Sequence, residues 1–555
     1  MLHISIDSLP PIQRREWSWV AVCSVLVLAL TCIPYLAGWA GAVSSDAGLT
    51  FGGFVIGVED GNSYLAKMAQ GARGHWLFHI VYTSEPHDGA LFFLFYFVLG
   101  KLAALLPGLP ADLPLRMIWV FHLARLVCGA GLLAMVYRFL AVFLPTPGMR
   151  RLAWLMVALG GGLGWLLLAL GEDNWLGSAP LDLILPEGFA FLTVFFLPHI
   201  ALGRTLLLAG LLAWLAGVGK AKEGALQGWR AGASAGLLWL TMGLMVPFYP
   251  LVAGVVVGGT LMAWWLSERR FPGREVSYSL LCGLILSPVV IYSAAVFATN
   301  PVMIGWSQQN LVLSPSPPHY LAAYLLPGIL AATGIYWVWR EQPGRKQWFL
   351  VAWTLVIPPL LYAPFNLQRR LIEGYQVPLS ILAAIGASRV LWPRLKRRFA
   401  HPWMPATFYL FLLFPSTLTL IAGSTFSVMA RHAPIFHTAP EVGAAAWLSD
   451  HAPEGALLLS DYDSGNFLPG WAPVRAYYGH GSETIDLAAK RENVRRFYEA
   501  GTDDIWRRSF LATNEIRYVL HGPAESALGD FRPVESSYLE RVFEEDDWAI
   551  YQVKE

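Results

Sequence analysis

Apolar residues run along this chain in long unbroken stretches separated by short polar ones, not in the alternation of a half-buried strand or the one-sided spacing of a soluble helix. Stretches of spanning length occur at 17–39, 113–137, 152–170, 195–218, 231–247, 251–267, 277–297, 320–339, 347–363, 374–391 and 405–428. A helix needs about 20 apolar residues to cross a hydrocarbon core of roughly 30 Å. The pattern therefore predicts eleven transmembrane helices. No A-x-A-like site follows the first stretch, which is read as an uncleaved span. The run 90–106 is the ambiguous one, because as a helix it lies near the lower length limit for crossing.

Charge resolves that run. Cytoplasmic loops are enriched in Lys and Arg, and each added span inverts everything downstream. If 90–106 does not cross, Arg14/Arg15, Arg138/Arg150/Arg151, Lys220/Lys222/Arg230, Arg269/Arg270/Arg274, Arg340/Arg345/Lys346 and Arg394/Lys396/Arg397/Arg398 all fall inside. If it does cross, every cluster after the first lies outside. The run is accordingly expected to be a juxtamembrane or re-entrant helix on the outer face, with the N-terminus cytoplasmic and the C-terminus extracytoplasmic. The outer side then receives the first loop, about 41–112, the loops 171–188, 299–320 and 364–374, and the C-terminal region.

Past residue 428 the pattern changes. Apolar runs shorten and charges become frequent: "ALLLSD", "IRYVL" and "WAIYQV" read as strands, and "DLAAKRENVRRFYEAG" as a solvated helix closed by a Gly cap. "DYDSGN" imitates a calcium loop, but its glycine comes one position early, so a turn is expected there. The predicted organisation is an all-α polytopic bundle over 1–428 and a soluble α/β domain over 429–555.

Composition agrees. The chain is 55% hydrophobic and 14% charged, with a mean hydropathy of +0.48, too apolar for a soluble protein of 555 residues. A net charge of +1, with basic residues in short clusters, argues against a nucleic-acid partner. Cys23, Cys32, Cys128 and Cys282 all lie in apolar stretches and suggest neither disulfides nor a zinc site.

Candidate chemistry gathers on the outer face. Glu59 and Asp60 stand just beyond the first span, where paired acids can serve as general base or metal ligands; the competing reading is a solvated acidic loop. The same loop continues through Lys67, His75, Trp76, His79, Glu85, His87 and Asp88. Arg369 and Arg370 lie outside, against the positive-inside bias, and paired guanidinium groups suit a lipid phosphate or pyrophosphate; the alternative is a helix start snorkelling to ordinary headgroups. His122 with Arg125, and His199 with Arg204, lie near the outer ends of predicted spans, where they face a cavity or a partner, or snorkel; Pro198 breaks the helix beside His199. Glu172, Asp173, Asp182 and Glu187 share the loop 171–188, which reads most simply as a solvated loop, with metal or sugar binding as the alternative.

The sequence around Asp60 and Tyr64, the Gly74-x-Trp76 element, and Glu85-Pro86-His87 ahead of an apolar helix together resemble the GT-C superfamily of membrane glycosyltransferases, which includes aminoarabinose transferases, protein O-mannosyltransferases and oligosaccharyltransferases. Gln368, Arg369, Arg370, Glu373 and Gly374 match the "QRR-x-x-EG" of bacterial members of that kind. Relatives often carry a Pro-Pro pair where this chain has Glu85-Pro86-His87. The resemblance implies juxtamembrane helices in the first outer loop, a sugar donor carried on a polyprenyl phosphate or pyrophosphate, and transfer to an acceptor glycan, lipid or protein outside the cytoplasm.

On this reading Asp60 is the catalytic base, and Arg369 and Arg370 bind the donor phosphate. Glu59, Tyr64, Lys67, Glu85, His87, His199 and Arg204 are further site residues. Some relatives require a divalent metal, so Mg or Mn is a candidate cofactor, with Glu59, Asp60 and His199 as candidate ligands. The rival from another class is a transporter or flippase for a lipid-linked solute, which predicts an inverted repeat that the sequence does not display.

Overall fold

The computed structural model describes residues 11–45, 48–109, 112–220, 225–395 and 410–554. The sequence-predicted Lys222 and the cluster Lys396/Arg397/Arg398 lie outside the described residues. The chain divides into two compact units, each assembled from three stretches of sequence: Met1–Cys32, Ala124–Ala294 and Leu311–Gly423 form the first, and Ile33–Leu123, Ala295–Asn310 and Ser424–Glu555 the second.

Among the described residues six helices are long and apolar enough to cross a membrane: Arg14–Val43, Leu113–Phe143, Pro198–Val218, Tyr249–Glu268, Gly273–Thr299 and Pro317–Arg340. The remaining predicted runs are also helical, as Pro147–Leu159, Ala225–Met245, Arg345–Leu360, Gln376–Gly386 and Pro415–Met429. Some of these are shorter than the predicted runs. The run predicted at 152–170 is the clearest case: it breaks at Gly160–Leu163 into Pro147–Leu159 and Gly164–Ala169.

That break lies in the first unit, and its backbone is accounted for group by group. Gly161 N–H donates to Leu413 O at 2.9 Å and Leu163 N–H to Ala322 O at 3.1 Å. The Gly162 and Gly164 N–H groups both donate to Asp182 Oδ2, at 2.8 and 3.1 Å, and Ser416 Oγ donates to the same oxygen. Gln376 Nε2 donates to Met156 O and Gly160 O, closing the end of the helix Pro147–Leu159. Unpaired backbone away from water costs several kcal/mol per group, so a broken helix at this depth requires such partners. Glycine is needed for space: a Cβ on Gly162 would stand 2.4 Å from Ala323 O. Asp182 is therefore buried and structural, and Glu187 is buried too, a correction to the solvated-loop expectation at those two acids; Glu172 and Asp173 are exposed. Gly334 and Gly386 let the helices Pro317–Arg340 and Gln376–Gly386 touch backbone to backbone, as small residues do in membrane packing.

In the second unit a five-stranded sheet has the order β4-β3-β5-β7-β6, with β3 (Ala456–Leu459), β4 (Val474–Ala476), β5 (Ile516–His521), β6 (Leu539–Glu545) and β7 (Trp548–Val553). β3 pairs parallel with β4 and β5, while β5–β7 and β7–β6 are antiparallel. The strict side-chain alternation of strands fills two cores. Leu457, Leu459, Val519 and Tyr551 face Val494, Phe497 and Phe510. Leu458, Leu520 and Ile550 face Ala445, Leu448 and Phe467. The expected solvated helix is Leu487–Tyr498, capped by extended Glu499 and not by glycine. "DYDSGN" is the start of a helix, Tyr462–Trp471, because Asp461 accepts from Asp463 N–H as an N-cap. A small ladder pairs β1 (Thr50–Phe51) with β2 (Phe436–His437).

The first-loop run expected not to cross forms the helix Leu94–Leu105, 12 residues, about 18 Å at the usual rise. It packs on the helix Val58–Ala72 through two glycines: a Cβ on Gly71 would lie 2.3 Å from Phe97 O, and one on Gly100 would lie 1.8 Å from Met68 O.

Candidate functional site

The helix Val58–Ala72 begins at Gly57, whose φ of 57° places it in the left-handed region that glycine tolerates, and its first turn carries Glu59 and Asp60. Negative side chains are favoured there by the helix dipole. Ten of its fifteen residues are buried, from Gly61 through Gly71 with only Tyr64 in that stretch less than buried. Asn62 Nδ2 donates to Asn466 Oδ1 at 2.8 Å, and Asn466 Nδ2 returns to Glu59 O at 3.3 Å. The helix thereby docks on Tyr462–Trp471 of the C-terminal region.

One turn further in sits a buried ion pair. Lys67 Nζ lies 2.6 Å from Glu483 Oε1, with their side chains 1% and 6% exposed. Ser63 Oγ donates to the same carboxylate at 2.8 Å, and Lys67 Nζ also contacts Ser63 Oγ. The ammonium stands over the rings of Phe93 and Phe78, at 4.5 and 5.1 Å. Burial alone would raise the Glu483 carboxyl, but Lys67, His480 and the Ser63 hydroxyl outweigh it and hold it below the ordinary carboxylate range.

Next to this pair the loop 479–484 carries His480. Gly479 and His480 N–H both donate to Thr484 Oγ1, and Thr484 N–H donates to His480 O, so the loop is closed on itself. The His480 ring is 4% exposed; its Nδ1 accepts from Ser482 N–H at 3.2 Å and Glu483 N–H at 3.3 Å. That leaves the ring hydrogen on Nε2, which lies 3.6 Å from Asp60 Oδ1. Glu59 Oε1 approaches Nδ1 at 3.5 Å and accepts from Tyr462 Oη at 2.9 Å and from Gly481 N–H. Burial pulls His480 down, but Glu483, Asp60 and Glu59 more than offset it, and the net direction is upward. With Nδ1 accepting from the loop, Nε2 carries a hydrogen facing Asp60. Asp60 itself is 58% exposed and Glu59 43%, whereas His480 and Glu483 are enclosed.

The other first-loop candidates have defined positions in the second unit. Tyr64 stacks on Tyr96 with ring centroids 4.5 Å apart. Glu85 pairs with Lys490 at 2.7 Å and contacts the Thr83 hydroxyl, which holds it below the usual range although burial opposes this. His87 spends both ring nitrogens on main chain: Nε2 accepts from Ile80 N–H and Nδ1 faces Glu85 O, each at 2.9 Å. His122 Nε2 faces Gly53 O at 2.9 Å.

The first unit holds the remaining candidates. Arg204 is fully buried against Glu373; its Nη2 donates to Glu373 Oε2 at 3.1 Å and to Pro186 O and Glu187 O at 2.8 Å. Its guanidinium is committed to structure. Arg125 is bound to Thr31 Oγ1 and to the carbonyls of Val194 and Phe195 at the end of the helix Ala190–Phe196. That helix stops ahead of Pro198, and His199, at the second position of the next helix, is buried. Arg369 and Arg370 lie on the short 3-10 turn Gln368–Ile372. Arg370 Nε lies 3.8 Å from Glu187 Oε1. Arg369 Nε is buried without a hydrogen-bond partner among the described residues, and burial, only partly relieved by Glu187, pulls its guanidinium below its ordinary value. A partly desolvated cation of this kind is stabilised by an anion.

Sequence reasoning placed Asp60 and Glu59 but not His480, Glu483 or Tyr462, which lie more than 400 residues away. The available signal was "GHGSET", a histidine between glycines followed by three polar residues in an otherwise apolar-cored domain. Among the described residues no group of three or more His, Cys, Asp or Glu is arranged to hold a metal ion.

No protein-family model matches the chain, and a search of curated proteins finds no match in sequence. Solved structures do match. ArnT from Cupriavidus metallidurans bound to undecaprenyl phosphate is similar over 97% of this chain and 98% of its own, with a TM-score of 0.55 at 12% identity. The Archaeoglobus fulgidus oligosaccharyltransferase in its apo form is similar over 95% of this chain and 73% of its own, with a TM-score of 0.53 at 11% identity. The same oligosaccharyltransferase tethered to an acceptor peptide gives 0.50 at 11% identity, over 91% and 69%. Across nearly its whole length, then, this chain shares the fold of ArnT and of the Archaeoglobus fulgidus oligosaccharyltransferase.

Proposed function

We propose that the protein is a membrane glycosyltransferase that moves a sugar from a polyprenyl-phosphate or polyprenyl-pyrophosphate donor to an acceptor hydroxyl on a glycan, lipid or protein. The observation that carries this reading is Asp60, whose carboxylate is 58% exposed in the first turn of a helix that is buried from Gly61 to Gly71 apart from Tyr64. An exposed carboxylate on a rigid support is suited to proton abstraction. In the reaction the acceptor O–H gives its proton to Asp60, the acceptor oxygen bonds to the anomeric carbon, and the bond from that carbon to the phosphate oxygen breaks. The lipid phosphate departs with the electron pair, and configuration at the anomeric carbon inverts.

Arg369 and Arg370 are assigned to the donor phosphate, where fixed positive charge stabilises the leaving group. The unpartnered, buried Arg369 Nε supports this assignment. Support for the lipid donor comes from the shared fold with ArnT bound to undecaprenyl phosphate; since fold and function separate readily, this is analogy and needs its own test. The Lys and Arg distribution supports a bacterial-type plasma membrane protein with a cytoplasmic N-terminus, a multi-span region over 1–428 and an extracytoplasmic domain over 429–555.

The test uses purified full-length protein in nanodiscs, undecaprenyl-phosphate-linked [14C]mannose and [14C]glucose as donors, and an envelope fraction as acceptor, with release of undecaprenyl phosphate as the readout. Wild-type protein is expected to release the lipid phosphate, and Asp60→Asn to lose about 10²–10⁴-fold in rate. Full turnover by folded Asp60→Asn removes Asp60 from the chemistry.

A further inference from the structure

The C-terminal region brings a side chain to the candidate base. We propose that His480 is the positioning residue for Asp60: its Nε2–H fixes the direction of the Asp60 carboxylate and supports its charge. The inference rests on the glycosyl-transfer reading of Asp60.

Three observations carry it. His480 Nε2 is buried, has no hydrogen-bond partner among the described residues, and faces Asp60 Oδ1 at 3.6 Å. A buried donor left unmade costs free energy, so its retention calls for a role. The separation is longer than a formed hydrogen bond, and contacts of this type tighten when substrate arrives. Second, the ring cannot swing away. Nδ1 is held by the Ser482 and Glu483 N–H groups, and the ring lies against Tyr82 with centroids 5.4 Å apart. Third, the loop that carries the ring is anchored to the helix that carries Asp60, because Glu483, three residues on, accepts from both Lys67 and Ser63. Donor and carboxylate therefore share one rigid support, as a positioning pair requires. Glu59 completes the frame by accepting from Tyr462 and Gly481. The role of the C-terminal region is thus to orient the first-loop acid.

Two substitutions separate this role from a merely structural one. His480→Asn keeps an acceptor near the Nδ1 position, so the loop stays closed, but cannot reach Asp60. His480→Gln keeps a donor near the Nε2 position. With undecaprenyl-phosphate-linked [14C]mannose and [14C]glucose, His480→Asn is expected to lower kcat by about 10–100-fold with donor KM little changed, and His480→Gln to restore most of it. Unchanged kcat in His480→Asn, or equal loss in both variants, overturns the proposal. A readout that needs no turnover is the thermal cycle of wild type, Asp60→Asn, His480→Asn and the double variant. The Tm shift caused by Asp60→Asn is expected to disappear in the His480→Asn background, and equal shifts in both backgrounds, zero included, overturn the proposal. If wild type consumes neither donor, the glycosyl-transfer reading fails, and the thermal cycle alone decides whether His480 holds Asp60.

Discussion

Lys67→Met tests whether the first-loop helix is fastened by its buried ion pair. Lys67 and Glu483 are 1% and 6% exposed and 2.6 Å apart, so the substitution removes a cation that solvent cannot replace and leaves Glu483 with the Ser63 hydroxyl as its donor. Breaking a buried pair from one side costs about 3–5 kcal/mol. For a unit of this size, about 2–4 °C of Tm per kcal/mol converts that to a fall of about 6–20 °C. Lys67→Met/Glu483→Leu, which removes both charges, is expected to recover most of the loss, since matched apolar replacement of a buried pair is often near neutral. The pH dependence has a defined sign. Because the folded-state Glu483 carboxyl lies below its unfolded value, its contribution in wild type is complete above about pH 4.3 and disappears as pH falls through the folded pKa. Without Lys67, burial dominates and raises that carboxyl, so the variant is penalised at neutral pH and relieved as the group takes a proton. The Tm gap between variant and wild type should therefore narrow from pH 7 to pH 5, measured by tryptophan fluorescence in nanodiscs. A Lys67→Met protein that melts with wild type, or a gap independent of pH, refutes the argument.

Arg369→Met and Arg370→Met are expected to raise donor KM more than they lower kcat for release of undecaprenyl phosphate, because uniform binding is what a phosphate contact supplies first; unchanged donor kinetics in both would count against the phosphate role. Gly100→Ala drives a methyl into Met68 O and should cost about 1–3 kcal/mol, or roughly 2–12 °C of Tm, and it displaces the helix that carries Asp60. A fully stable Gly100→Ala protein would show that the two first-loop helices can part freely. Asp182→Ala strips the acceptor from two backbone N–H groups and the Ser416 hydroxyl, and a loss of about 2 kcal/mol or more follows from leaving buried donors unmade; an unchanged melting curve would place that break in water.

Long apolar runs made the helical bundle legible, because membrane spans are written in composition over about 20 residues. The short apolar runs in "ALLLSD" and "WAIYQV" were legible for the same local reason, and both contain strands. The interruptions were less so. "ALGGGLGW" reads as apolar, and only its three-dimensional partners Asp182, Ser416 and Leu413 explain how a helix stops there. The solvated-loop reading of Asp182 failed because a carboxylate that caps distant backbone looks in sequence like any loop acid. The site was legible on one side only. Glu59 and Asp60 announced themselves by clustering after a span, whereas His480 and Glu483 belong to a small polar loop whose meaning depends on docking across more than 400 residues. "DYDSGN" misled because the residues that begin a helix, Asp and Ser, are also those of a turn.

The sealed break at Gly160–Gly164 also says something about the order in which the protein is made. Its N–H groups are satisfied by Asp182, Ala322 and Leu413, and Ser416 donates to Gly162 O and to Asp182, so the last partners leave the ribosome some 250 residues after the glycines do. Until then the segment enters the bilayer as two half-spans with open backbone, in need of a protein or water-lined shelter. The early break thus depends on the end of the bundle: a nascent chain stopped before Leu413 lacks the acceptor for Gly161 N–H.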